Sequence, residues 1–335
     1  MSCGVKNIRT VLNAPRPPAS TFACLLLAMG CRGPAPRDDR GAPAEIDTTA
    51  NAQSTAGGAT RVEIVDVDLR VFADARIHVL RLAGTASSVR PGQPVPLDDK
   101  NGYTIAVDGA ETWVGWSDLS AILNEYTFDF DGAPVDDLSI DREEDADQRD
   151  EVELKGDLGG VLGLRFEIEG RPEVTPDGRI RIRTTSVQAL DIPVEGLMHA
   201  LGLEPADLMG NLRDRGLDFD GDDLILDASR AFPPPRMSGR VRSVTVEEGG
   251  MSIVLGDPDA APSSGNANHL WFRGGTIRIG RMTQTDADLR ILDDDPADRF
   301  DFFPDQMNAQ LAAGYAKMRE DGGLTMHVPD YNDMR

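Results

Sequence analysis

The chain has 335 residues, enough for one large domain or two modest ones, and with only 5% aromatics its core must rest on Leu, Ile, Val and Met. With 34 basic against 57 acidic residues the formal charge is -23, which leaves no basic field to neutralise phosphates and argues against a nucleic-acid partner. The same balance excludes a general attraction to anionic lipid, so membrane association needs a specific attachment or a local basic stripe.

All three cysteines, Cys3, Cys24 and Cys31, lie near the amino terminus, so the folded part carries neither a disulfide nor a thiol nucleophile. Lys6, Arg9 and Arg16 supply a positive segment, and Phe22 to Met29 a short apolar one, the pattern of an export signal too short to span a bilayer. Ala28-Met29-Gly30-Cys31 resembles a bacterial lipobox, with Gly30 matching the pattern and Ala28 standing where leucine is usual. The resemblance implies a lipoprotein-type signal over residues 1–31 with Cys31 as the lipidation site. Arg32 in the next position resembles retention at the outer membrane, on its periplasmic side. The competing reading is an ordinary cleavable signal with a coincidental cysteine behind it. Residues 32–60 are rich in Ala, Pro, Gly and Thr without period, the composition of a flexible linker.

From Val62 the pattern is mostly of period two. Val62, Ile64, Val67, Leu69 and Val71 predict a long strand whose alternation slips at Ile64-Val65, predicting a bulge; Ile77, Val79 and Leu82 continue it. After a Pro- and Gly-rich loop from Pro91 to Gly102, Tyr103, Ile105 and Val107 start a strand expected to end at Asp108-Gly109. Ser117 is positioned to cap a helix on which Leu119, Ile122 and Leu123 share one apolar face, with Trp113 and Trp116 read as core at its entrance. Tyr126, Phe128 and Phe130 resume strand spacing before Asp131-Gly132, and the acidic run from Asp141 to Glu151 reads as an exposed hairpin loop.

The most ordered stretch is Glu151 to Leu201. Leu162, Leu164, Phe166 and Ile168 alternate with charged residues, Asp177-Gly178 supplies a tight turn, and Arg179 to Arg183 alternates back, so each strand has one apolar face. Leu197, Met198 and Leu201, behind Pro193, predict a helix to cover that face. A second helix is expected over Pro205 to Leu212, then hairpins around Asp220-Gly221 and Gly249-Gly250. Residues 257–268 read as a loop. Beyond them come a hairpin (Leu270, Phe272, Ile277, Ile279), a short strand (Leu289, Ile291), a helix from Pro304 bearing Met307, Leu311, Tyr315 and Met318 on one face, and a last strand from Leu324 to Val328. Many local hairpins and few short helices make the fold class α+β.

No Gly-x-Ser-x-Gly elbow, phosphate loop or His-Glu-x-x-His occurs, and His78, His199, His269 and His327 are far apart, so no catalytic residue, cofactor or metal ligand is expected. Asp218 to Asp223 has the acids of a calcium loop, but its glycine is fourth and Ser229 stands where glutamate should be twelfth. Arg179, Arg181 and Arg183 on one strand face, and Arg240 and Arg242 on another, suit either an anionic headgroup or carboxylates on neighbouring strands.

The succession of the Leu119 to Asn124 helix, Ile168-Glu169-Gly170, Asp177-Gly178-Arg179-Ile180, Ile192-Pro193-Val194-Glu195-Gly196-Leu197 and Asp220-Gly221-Asp222-Asp223-Leu224-Ile225-Leu226 resembles bacterial tubular lipid-binding (TULIP-like) domains of the LmeA-like and AsmA-like kind. The resemblance spans Val62 to Gly256. It implies a long curved antiparallel sheet wrapping short helices over residues 61–256; residues 269–335, which the resemblance does not cover, read as a C-terminal β-hairpin and helix extension of the same domain. It also implies binding of a phospholipid or another acyl-chain ligand, which together with the lipobox at Cys31 and the lack of catalytic motifs makes the expected function that of a non-catalytic, membrane-anchored periplasmic lipid-binding protein. The candidate lining is Leu119, Ile122, Leu123, Leu164, Phe166, Ile180, Ile182, Leu197 and Leu201. The alternative function is an envelope scaffold with a fully packed interior and protein partners.

Overall fold

Alternation of apolar and polar residues becomes sheet along most of the chain. The computed structural model describes residues 58–133, 135–143, 150–158, 165–189, 192–193, 211–263 and 268–334, all within one unit, Gln53–Arg335. The signal, the linker up to residue 57 and the helix expected around Leu197 and Leu201 lie outside the described residues, as do Leu164 and His199.

Strands β1 (Thr60–Arg70) and β2 (Arg76–Ser88) form a hairpin, β3 (Val95–Pro96) crosses a loop, and β4 (Tyr103–Gly115) returns along β2. Helix α1 (Trp116–Ile122) follows directly and is prolonged by a π turn over Leu123–Thr127. Next, β5 (Val135–Arg142), β6 (Val152–Leu158), β7 (Arg165–Val174) and β8 (Ile180–Ala189) are successive antiparallel neighbours. Beyond β8 lie β9 (Ile192–Pro193) and the hairpin of β10 (Leu217–Asp220) and β11 (Asp223–Leu226). The chain then passes through α2 (Ala228–Ala231), β12 (Arg236–Ser238), β13 (Val241–Val246) and β14 (Gly250–Gly256). It ends through β15 (His269–Arg273), β16 (Thr276–Ile279), β17 (Met282–Thr285), β18 (Asp288–Asp293), β19 (Phe300–Phe302), α3 (Met307–Ala313), β20 (Tyr315–Met318) and β21 (Leu324–Val328).

These strands make three sheets in a sheet-dominated α+β fold with a curled half-barrel sheet and few short helices. The largest runs β13-β14-β4-β2-β1-β15-β18-β21-β20, with β12 beside β4 and β19 beside β1; the second runs β10-β11-β8-β7-β6-β5, with β9 on β8; β17-β16-β3 is the third. Pairing is mostly antiparallel, but β19 with β1, β12 with β4, β21 with β18 and β3 with β16 are parallel. β15 pairs with β1 from Arg61 to Val65, so the end of the chain shares a sheet with the first described strand. The main core buries Val62, Ile64, Val67 and Leu69 with Leu289, Ile291, Phe300 and Phe302. None of the described helices is long and apolar enough to cross a bilayer.

Several local expectations are corrected. The slip in β1 is absorbed at Asp66, whose φ is 53°, opposite Leu80, where β2 itself shifts register against β4. β4 does not stop at Asp108-Gly109 but runs to Gly115, because Gly109 serves close approach rather than a turn: a Cβ there would collide with the backbone carbonyl of Asp257. Ser117 is not the cap of α1; Gly115 holds that position without a side-chain hydrogen bond. The strand expected at Tyr126 is replaced by the π turn, and the acidic run's first residues, Asp141 and Arg142, pair within β5. Pro193 belongs to β9 rather than to a helical turn, as an edge position tolerates a residue without an N–H. The expected hairpin of Leu270, Phe272, Ile277 and Ile279 divides between two sheets, since β15 pairs with β1 and β18 whereas β16 pairs with β17 and β3. The helix from Pro304 ends at Ala313; Tyr315 and Met318 lie in β20, where pairing with β21 and the stacking of Tyr315 on His327 at 4.6 Å override helical spacing.

Candidate functional site

Two faces of α1 determine what it does. Leu119, Ile122 and Leu123 form an apolar stripe that is buried in the structure. Ser120 and Asn124 sit on the adjoining flank, four residues apart and therefore one turn apart. Asn124 Oδ1 accepts from Leu138 N at 2.9 Å, and its Nδ2 donates to Leu138 O at 2.7 Å and to Ser120 O at 2.8 Å. Ser120 Oγ accepts from Ile140 N at 2.9 Å and donates to Trp116 O at 2.8 Å. Leu138 and Ile140 belong to β5, the edge of the seven-stranded sheet, so two side chains supply hydrogen bonds that a further strand would otherwise make. At its other end α1 is held by Trp116, whose Nε1 donates to Glu248 O at 3.2 Å.

Pinned in this way, α1 stands over the apolar face of β5, β6, β7, β8, β11 and β10 and leaves a cavity of about 100 Å³. The sheet's register explains the lining. Leu154 pairs with Ile140 and Ile168, and Ile182 with Leu224; Ile180 pairs with Leu226, and Phe219 with Leu224, so these side chains emerge on one face. Gly156 pairs with Phe166, and the absent Cβ leaves room for the phenylalanine ring and Leu138. Of the nine expected lining residues, Leu119, Ile122, Leu123, Phe166, Ile180 and Ile182 all border this one cavity. Leu164, Leu197 and Leu201 lie outside the described residues. Sequence reasoning missed Leu138, Ile140, Leu217, Phe219, Leu224 and Leu226 as lining, although the last four alternate around the Asp220-Gly221 turn and carried the signal. Phe128 and Phe232 lie in irregular segments, where period gives no guide.

The opposite face of the same strands is charged. Lys155 meets Glu153 at 2.6 Å, and burial followed by the nearby Glu153 raises the Glu167 carboxyl above its ordinary value. Arg179 pairs with Asp177 at 2.7 Å, Arg181 with Asp220 at 2.7 Å and Asp223 at 3.4 Å, and Arg183 with Glu173 at 3.3 Å. Arg240 and Arg242 donate to the backbone carbonyls of Pro176 and Gly256. The arginines thus pair with nearby carboxylates and carbonyls. The carboxylates of the Asp218 to Asp223 loop are engaged in the same way, Asp218 by Arg213 at 2.9 Å and Asp220 and Asp223 by Arg181.

Titratable groups gather elsewhere, at the far end of β18. Carboxylate oxygens of Asp293, Asp298 and Asp330 come within 4.8 Å of one another, the one such group of three acids, cysteines or histidines among the described residues. Burial, reinforced by neighbouring aspartates, pushes Asp293 up to about 6 and Asp330 up to about 7. Close by, Arg70 forms a buried pair with Asp301, Nε to Oδ1 at 2.6 Å. His78 Nδ1 contacts Asp68 Oδ1 at 2.8 Å, while His327 lies against Tyr315 on β21. No described histidine belongs to this group of carboxylates.

No family model, curated protein or solved structure matches this chain.

Proposed function

We propose that this is a membrane-anchored periplasmic protein of the bacterial envelope that binds the apolar part of a lipid or another hydrophobic molecule and does not transform it. What supports the reading is the cavity between α1 and the second sheet, whose lining side chains among the described residues are apolar apart from Thr127 and Thr184. Such a space is dry, because water needs two to four polar partners, and a hydrocarbon entering it gains about 0.8 kcal/mol per buried methylene. A curled sheet holding a short helix over an apolar hollow is the arrangement of TULIP-like domains, and Cys31 is the proposed lipid anchor to the outer membrane. Native mass spectrometry of the protein extracted from membranes tests the binding: a co-purifying apolar molecule that leaves on delipidation is expected, and bare protein counts against it. Labelling with a palmitate analogue tests the anchor, with incorporation expected in the wild type and lost in Cys31→Ala; equal incorporation removes it.

A second reading, an envelope scaffold without ligand, draws on the size of the space. About 100 Å³ is small beside a whole acyl chain. Crosslinking in cells separates the two, since a scaffold requires a stable protein partner whether or not the cavity is filled.

A further inference from the structure

Resting on the reading of the cavity as a site for an apolar guest, we infer that the group it accepts is a single uncharged aromatic ring and that no ionised headgroup enters. Four phenylalanines, Phe128, Phe166, Phe219 and Phe232, border the space of about 100 Å³. An apolar cavity of roughly 150 Å³ holds benzene, so one ring fits here with slight spreading of the walls, whereas an extended chain must displace wall residues. Phenylalanine rings present faces and edges of opposite partial charge. A flat aromatic guest gains edge-to-face contacts against them, where an alkyl chain gains dispersion alone.

The polar inventory of the lining points the same way. Its two hydroxyls are committed as donors, Thr127 Oγ1 to Ala231 O at 3.3 Å and Thr184 Oγ1 to Asp222 O at 2.6 Å. Among the described residues, none that lines the cavity leaves a buried side-chain nitrogen or oxygen without a partner. A carboxylate, ammonium or phosphate brought inside would shed its water and meet nothing in exchange. Arg181 and Arg183, which alternate with the lining residues of β8, are on its other face and paired with acids, and Arg165, Arg213 and Arg230, each next in sequence to a lining residue, are likewise paired with Asp157, Asp218 and Asp227. Selection therefore acts on size, flatness and neutrality rather than on headgroup.

Toluene and n-heptane, which share a carbon count, together with octanoate as a charged chain, test this by equilibrium binding and thermal shift on the full chain at pH 8. Toluene is expected to bind saturably and at least tenfold more tightly than either other probe. It should lose that affinity in Leu154→Phe and Leu224→Phe, which fill the space; the comparison of probes on the unaltered chain needs neither variant to fold. Heptane or octanoate binding as tightly as toluene overturns the ring assignment and leaves the apolar-ligand reading standing. Failure of all three probes overturns both.

Discussion

Replacing Asn124 with alanine is the sharpest test of how α1 is attached. The side chain makes three hydrogen bonds, one accepted from Leu138 N at 2.9 Å and two donated to Leu138 O and Ser120 O at 2.7 and 2.8 Å. Alanine removes all three, and because Leu138 is buried its N–H and C=O lose the partners that this side chain supplied. At about 1 kcal/mol net per neutral hydrogen bond, with a surcharge for stranded buried groups, the loss should reach about 3–4 kcal/mol. Alanine's better helix propensity returns only about 0.5 kcal/mol. Urea unfolding gives the stability, and hydrogen exchange reads the Leu138 amide directly. A loss below about 1 kcal/mol with Leu138 still protected would refute the idea that this amide closes the edge of β5.

Ser120→Ala removes the acceptor for Ile140 N and should cost about 1 kcal/mol by the same urea assay, with the exchange effect confined to Ile140. Gly109→Ala forces a Cβ onto the Asp257 carbonyl, a backbone atom that cannot swing away, and should cost about 3 kcal/mol in thermal or urea unfolding. The acidic corner gives a pH dependence. Asp293 and Asp330 are raised above their ordinary value of 3.8, so between about pH 4 and 7 the folded state holds more protons than the unfolded one, and stability falls as pH rises through that window. The slope is up to about 1.4 kcal/mol per pH unit for each extra proton held. Asp330→Asn keeps a side-chain oxygen to accept from Asp301 N, and urea midpoints measured from pH 4 to 8 should show a flatter profile with higher stability at pH 8; an unchanged profile rules the group out as its source.

What the sequence makes legible depends on whether a feature is local. The turns at Asp177-Gly178 and Asp220-Gly221 and the strands they join follow from alternation and turn chemistry, and the structure has them with Gly178 and Gly221 at positive φ. The apolar stripe of α1 and the inward faces of β7 and β8 are legible for the same reason, and six residues of these faces border one cavity. Features decided by distant chain were not legible. Gly109 reads as a turn in the sequence because the segment that crowds it, Asp257, is far along the chain. Tyr315 and Met318 have helical spacing, yet the open edge of β21 takes them as a strand. The division of β15 and β16 between sheets likewise rests on partners at β1 and β3, which no local pattern announces.

The position of Asn124 joins stability to the proposed function. α1 has only seven residues and the π turn that prolongs it and carries Leu123 and Asn124 has five, too short a helix to persist alone, so tertiary contacts must hold it in place. Its apolar stripe roofs the cavity, and its polar flank ties it to the edge of the sheet that forms the floor. A guest that enters must either fit beneath the helix as it stands or lift it and break the Asn124 and Ser120 bonds. These cases differ in an observable way: a ring-sized guest should leave the Leu138 and Ile140 amides as protected as before, while a long chain that pries the roof open should expose them. Hydrogen exchange at those two amides, with and without a bound guest, therefore reads the size of what the cavity takes, and loss of their protection with toluene would show that the roof is a lid rather than a fixed wall.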